Sequence, residues 1–149
     1  MNTLAELPQL SGLEQLRTVF DGEWKGEGIG KTLGFRPATV EEGFVVFEGS
    51  PDHRVYNPIG TVHGGYAATL LDSAMGCAVH SRLKAGQGYT TLELKIAYHK
   101  AMTDKSGPVR AEGRVVSLGR RAAFAEGKLF DKDGKLCATA TTTCLVYSS

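Results

Sequence analysis

Residues Tyr66 to Val79 read YAATLLDSAMGCAV. Nearly every position is small or apolar, and the run is too long for an ordinary strand. The stretch predicts a helix, and a helix without a polar face has to be wrapped by other structure. Its one ionisable side chain is Asp72. Ala68, Thr69, Met75 and Gly76 stand three and four residues away on either side, so no cation on the same helix can pair with it and only Thr69 offers a hydroxyl. Burying an unpaired carboxylate costs about several kcal/mol unless it is protonated or finds partners elsewhere. Asp72 is therefore expected to be buried for a chemical purpose; the alternative is a helix edge open to water.

Upstream, Ser11 to Phe20 (SGLEQLRTVF) predicts a short amphipathic helix ending near Gly22, with Ser11 as cap, Glu14 three residues on and Leu13, Leu16 and Phe20 at helical spacing. Two strands follow, KTLGFRPATV (31–40) and GFVVFEGS (43–50), turning at Glu41-Glu42-Gly43. Pro51 to Gly60 is a loop by its prolines and asparagine. Downstream of the helix and of a loop at Lys84 to Gly88 come strand patterns at Tyr89–Met102, Pro108–Leu118, Ala122–Asp131 and Lys135–Tyr147. Asp133-Gly134 marks a hairpin between the last two. Two strands, one helix and four strands predict an α+β fold, an antiparallel sheet of about six strands curled around one central helix. No repeat or linker divides the chain, so residues 1–149 are expected to form a single domain, with 1–29 as an N-terminal helix and lead-in.

Hydrophobic residues make up 42% and charged residues 22% of the 149, which is an ordinary globular composition with enough apolar surface for a core. No leader or membrane-spanning run is expected, and Cys77, Cys137 and Cys144 lack the paired spacing of a zinc or redox motif, so the expected setting is the reducing cytoplasm. A net charge of +1 argues against a dedicated nucleic-acid binder. The charges are uneven, with 5 Lys/Arg against 10 Asp/Glu in residues 1–74 and 12 against 6 in residues 75–149. A solvated strand face explains most of that excess, and a polyanionic small ligand is the sharper reading.

Several motifs fail. Gly26 to Thr32 (GEGIGKT) ends like a phosphate loop, but position 25 is Lys25 and no strand precedes it. His53, His63, His80 and His99 lack the spacing that presents paired metal ligands, so no metal is expected. There is no G-x-S-x-G elbow, and Cys77 has no evident base. What survives is the entrance of the apolar helix, Thr61-Val62-His63-Gly64-Gly65, where glycines leave N–H groups accessible at the positive end of the helix dipole. Such a spot suits a developing oxyanion, although a glycine turn needed only for packing would look the same. Gly64 and Asp72 lie eight residues apart, about 12 Å along a helix, too far for one carbonyl to touch both. If both act, the simplest geometry joins the helix entrance of one subunit to Asp72 of another, a dimer with two shared sites.

These residues resemble the hot-dog-fold acyl-CoA thioesterases, in the branch that includes the phenylacetate-degradation (PaaI-like) enzymes. The likeness spans roughly residues 30–147. It is carried by Asn57-Pro58-Ile59-Gly60-Thr61-Val62-His63-Gly64-Gly65 followed by Leu71-Asp72, with support from Leu33-Gly34-Phe35, a strand ending near Tyr98, Gly119-Arg120-Arg121 and a last strand through Ala138 to Val146. The resemblance implies that Asp72 activates water or attacks the thioester itself, that the Gly64 N–H holds the oxyanion, and that Asn57 orients the water or thioester. It further implies that His63 shapes the loop and contacts the thioester, and that Thr91 hydrogen-bonds the nucleophilic centre. Gly65 and Tyr66 are candidates for substrate contact, and Lys100, Arg120 and Arg121 for the phosphates of coenzyme A; relatives often carry Arg-Pro where this chain has Lys100-Ala101.

The implied activity is hydrolysis of an aryl- or medium-chain acyl-CoA to free acid and coenzyme A. It needs no cofactor, uses sites shared between the subunits of a homodimer or homotetramer, and involves neither membrane nor nucleic acid. Two alternatives are a hydroxyacyl-thioester dehydratase, for which His63 is the one nearby histidine, and a non-catalytic acyl-CoA-binding module on the same fold.

Overall fold

The computed structural model describes residues 3–21 and 27–148. The apolar stretch forms the central helix α3 (Gly64–His80), preceded by α1 (Gly12–Asp21) and α2 (Ile29–Leu33). Among the described residues, β1 (Phe35–Glu41), β2 (Phe44–Gly49), β3 (Gln87–Tyr98), β4 (Val109–Leu118), β5 (Ala122–Phe130) and β6 (Leu136–Ser148) form one antiparallel sheet in the order β1-β2-β4-β5-β6-β3. This is the expected hot-dog arrangement. Leu70, Leu71, Ala74, Met75 and Val79 of α3 are fully buried against the inner face of that sheet. No helix of the described residues is long and apolar enough to cross a membrane.

The inner face is built of small residues. β5 alternates buried and exposed positions, and Ala123, Ala125 and Leu129 face inward, as do Ala111 of β4 and Ala138 and Ala140 of β6. One row of paired positions, Val45, Gly113, Gly127 and Ala140, crosses four neighbouring strands under the middle of the helix. A methyl group on Gly113 would overlap the carbonyl of Ala74 and lie 2.5 Å from the Met75 nitrogen, so backbone meets backbone there. On Gly127 it would meet only the flexible ends of Leu71, at 3.0 Å, and Met75, at 3.2 Å. Gly113→Ala is expected to lower the unfolding free energy by about 3 kcal/mol, and Gly127→Ala by clearly less, in urea titrations followed by circular dichroism.

One expectation needs correction. Lys31 to Leu33 are not strand but the end of α2; Gly34 (φ 74°) then ends that helix with its N–H on the Gly30 carbonyl at 2.8 Å, and β1 starts at Phe35. A glycine in the left-handed region is a helix stop, and it separates the short helix from the strand that follows. The helix expected to end near Gly22 runs from Gly12 to Asp21; Gly22, Lys25 and Gly26 lie outside the described residues. Its cap is as expected. Ser11 Oγ receives the Glu14 N–H at 3.3 Å while the Glu14 carboxylate receives the Ser11 N–H at 2.9 Å.

Gln15 ties this N-terminal segment to the far end of α3. Its Nε2 donates to the carbonyls of Leu4 (3.2 Å) and Leu7 (2.8 Å), which leaves Oε1 to accept from His80 Nε2 at 2.7 Å. The amide orientation thus assigns the His80 proton to Nε2. Burial lowers the His80 pKa below its ordinary 6.5, keeping the ring neutral. At acid pH the unfolded chain binds a proton that the folded chain refuses. The stability that neutral His80 contributes is therefore complete above pH 6.5 and is lost as pH falls towards its folded value. Thermal midpoints measured across that range should fall less steeply for His80→Gln than for wild type.

Candidate active site

The loop leading into α3 is held by its own asparagine. Asn57 Oδ1 accepts from the N–H groups of Ile59 (3.0 Å) and Thr61 (3.2 Å), its Nδ2 donates to Thr61 Oγ1 at 3.0 Å, and its N–H reaches the Thr61 carbonyl at 2.8 Å. Val62 N–H to the Met102 carbonyl and His63 N–H to the Val55 carbonyl fasten the loop to its neighbours. Asn57→Ala is expected to lower the unfolding free energy by about 1–2 kcal/mol in urea titrations and to expose residues 51–63 to limited proteolysis.

His63 caps the helix, with Nδ1 accepting the Gly65 N–H at 2.8 Å. The neutral ring therefore carries its proton on Nε2, and the side chain is exposed. On the other side of the same peptide, the Tyr98 hydroxyl donates to the Gly64 carbonyl at 2.6 Å. The Gly64–Gly65 peptide is thus pinned at both ends. The Gly64 N–H takes no acceptor among the described residues and stays available at the positive end of a 17-residue helix. A cavity of about 410 Å³ opens there, lined by Asn57, His63, Gly64, Tyr98, Lys100 and Met102 among others.

Two helical turns further on, Asp72 Oδ1 accepts from Thr91 Oγ1 on β3 at 3.0 Å. Thr69, the one hydroxyl within reach on the helix itself, donates instead to the Gly65 carbonyl at 2.8 Å. Asp72 is half-buried rather than sealed in the core, because Gly65, Ala68, Thr69, Asp72 and Ser73 form a stripe of α3 that the sheet leaves uncovered. Asp72 thus lies between the buried carboxylate expected and the alternative of a helix edge open to water. Desolvation first, and the Asp72 charge second, push the nearby Cys77 thiol up to about 12, so it is no thiolate nucleophile. Asp72 and Thr91 do not line the cavity at Gly64, and the eight-residue separation along continuous helix, about 12 Å, stands.

The remaining candidates are scattered. Tyr66 is 2% exposed and is not among the cavity-lining residues; its hydroxyl sits against Gly49 without a hydrogen bond among the described residues, and burial pushes its pKa up to about 12. Lys100 Nζ is engaged by the buried Asp131 at 2.5 Å, a carboxylate that also accepts the N–H groups of Asp133 and Lys135. Those bonds, the Lys100 one foremost, hold the Asp131 carboxyl below its ordinary value. Arg120 and Arg121 are exposed in the β4–β5 turn and form no ion pair among the described residues. They stand at the opposite end of β5 from Asp131 and Lys100, about 30 Å away at ordinary strand rise. One chain cannot bring all three to one phosphate. Tyr98 marked a strand end in the sequence but not a contact to Gly64, because nothing local signals a phenol reaching a residue 34 positions away.

Among the described residues, no three His, Cys, Asp or Glu side chains are grouped so as to hold a metal ion.

Residues 59–138 match the family described as the Thioesterase superfamily. The proofreading thioesterase EntH of Klebsiella pneumoniae is 32% identical over 107 residues, covering 72% of this chain and 77% of that protein. Among solved structures, a thioesterase family protein from Silicibacter pomeroyi superimposes with a TM-score of 0.78 at 26% identity, covering 89% of this chain and 98% of that one. The PaaI protein of the E. coli phenylacetic acid degradation operon superimposes with a TM-score of 0.79 at 17% identity, covering 93% and 98%, a likeness of fold.

Proposed function

The chain belongs to the thioesterase superfamily and is a thioester hydrolase, and on that premise we propose that it hydrolyses an aryl- or medium-chain acyl-CoA at a site centred on Asp72. The observation that carries this reading is a half-buried Asp72, oriented by Thr91, on the same helix whose first N–H takes no acceptor among the described residues. A carboxylate fixed by one hydrogen bond and open on its other oxygen can take a proton from water or attack a carbonyl directly.

Acting as base, Asp72 removes a proton from water as the oxygen attacks the thioester carbonyl. The Gly64 N–H receives the charge that develops on the carbonyl oxygen, a contribution of about 10²–10³ in rate for a well-placed donor. Collapse breaks the C–S bond and returns the proton to the coenzyme A thiolate, leaving the free acid. Acting as nucleophile, Asp72 attacks the carbonyl and expels the coenzyme A thiolate to form an acyl anhydride, which water then opens to the free acid and the regenerated carboxylate. The exposed His63 ring is proposed to donate from Nε2–H to the thioester, and Tyr98 and His63 together hold the Gly64–Gly65 peptide still. The reaction as proposed draws on no metal or redox cofactor.

The site is proposed to form between subunits. Support comes from the 12 Å span between Gly64 and Asp72, from the uncovered stripe of α3, and from β3, a 12-residue strand at the sheet edge paired on one side alone. In such a dimer Arg120 and Arg121, unpaired and exposed, suit the coenzyme A phosphates better than Lys100, whose charge Asp131 already meets. Asp72→Asn is expected to abolish nearly all thiol release from aryl and medium-chain acyl-CoAs while its circular dichroism spectrum stays unchanged. Turnover close to wild type would overturn the assignment of Asp72.

A further inference from the structure

Beyond Asp72 the seam between α3 and β3 is closed by a second tyrosine. Thr91 and Tyr89 share one face of β3, and while Thr91 meets Asp72, Tyr89 lies on Gly76, one helical turn on. A methyl group on Gly76 would overlap the Tyr89 hydroxyl and stand 3.0 Å from the ring, so the ring takes the space that a side chain on the helix would need. The ring also packs against His80, the residue one further turn along, with centroids 5.8 Å apart and planes tilted by 56°. Behind it is a cavity of about 380 Å³, lined by Tyr89, Tyr147, His80 and Gln15 together with Leu4 and Pro8 of the N-terminal segment. Four helical residues, about 6 Å, separate Asp72 from the start of this wall.

We propose that Tyr89, seated on Gly76, is the specificity-determining end wall of the acyl site, separating the Asp72 centre from the 380 Å³ cavity at the C-terminal end of α3. This rests on the assignment of Asp72 given above. An acyl group whose carbonyl is held at Asp72 and which runs along the seam would meet the phenol after about 6 Å, the length of a single ring or a short chain. No hydrogen bond tethers the Tyr89 hydroxyl among the described residues, so the wall is held by packing against Gly76 and His80. Removing the ring joins the two spaces and admits a longer chain into the rear cavity.

The test is the kcat/KM profile for straight-chain acyl-CoAs from butanoyl to palmitoyl, followed by thiol release. Wild type and Tyr89→Phe are expected to share one chain length beyond which kcat/KM drops. Tyr89→Leu and Tyr89→Ala should move that drop to longer chains and raise the long-to-short ratio at least tenfold, at about fourfold per methylene newly buried. A Leu or Ala variant whose profile parallels wild type at every length overturns the proposal. So does a wild-type profile without a drop, a result that depends on no variant folding. Activity of Asp72→Asn separates the two claims. If that variant is inactive and the Tyr89 profiles stay unmoved, the end wall alone fails, whereas if it turns over, the reading of Asp72 fails first.

Discussion

The close seating of α3 on the sheet at Gly113 is the constraint on which the rest of the molecule depends. There the helix backbone at Ala74 and Met75 rests directly on β4, and any side chain on Gly113 would lift it away. The small inward residues Ala111 on the same strand and Ala123, Ala125 and Ala140 on the strands beyond it extend the same groove. Seated this low, the helix buries its leucines completely and brings its flank within hydrogen-bonding distance of β3. A helix displaced by even one methyl thickness would separate Thr91 from Asp72 and Tyr98 from Gly64, since hydrogen bonds weaken steeply beyond about 3.2 Å.

From that seating follows a line of three contacts along the α3–β3 seam. Tyr98 holds the Gly64 peptide, Thr91 orients Asp72, and Tyr89 covers Gly76. Each pairs a strand side chain with a helix position that is either glycine or the one charged residue. The helix positions that β3 meets without covering, together with the unpaired edge of β3 itself, form the flank on which the chain is open. Structural stability and chemistry are therefore divided between two faces of one helix. The face towards β4 and β5 is close-packed and apolar, and the flank by β3 carries the polar contacts.

Much of this was legible in the residues. The uniform apolarity of 66–79 marks a wrapped helix, the alternating patterns after residue 87 mark strands that begin and end within a few residues of those observed, and Ser11 with Glu14 marks a helix cap that forms as written. Asp72 stood out because a charge in such a helix is costly. Its degree of burial is not legible there, because periodicity shows that a helix is apolar all round, not which stripe the sheet leaves open. The strand expected from Lys31 begins instead at Phe35, because a short helix closed by the left-handed Gly34 comes first.

By itself, then, the sequence determined the elements, their order along the chain and the kinds of chemical group available: one carboxylate in an apolar helix and a glycine pair behind a histidine at its start. Tertiary structure alone decided which groups meet. Thr91 reaches Asp72 across 19 positions and Tyr98 reaches Gly64 across 34, whereas the nearer Thr69 turns back to its own helix. The physical reason is range. Propensity, capping and periodicity act over a few residues, while strand order and the depth at which the helix sits are settled by packing of the whole inner face, where glycines far apart in the chain are brought under the same turn of helix.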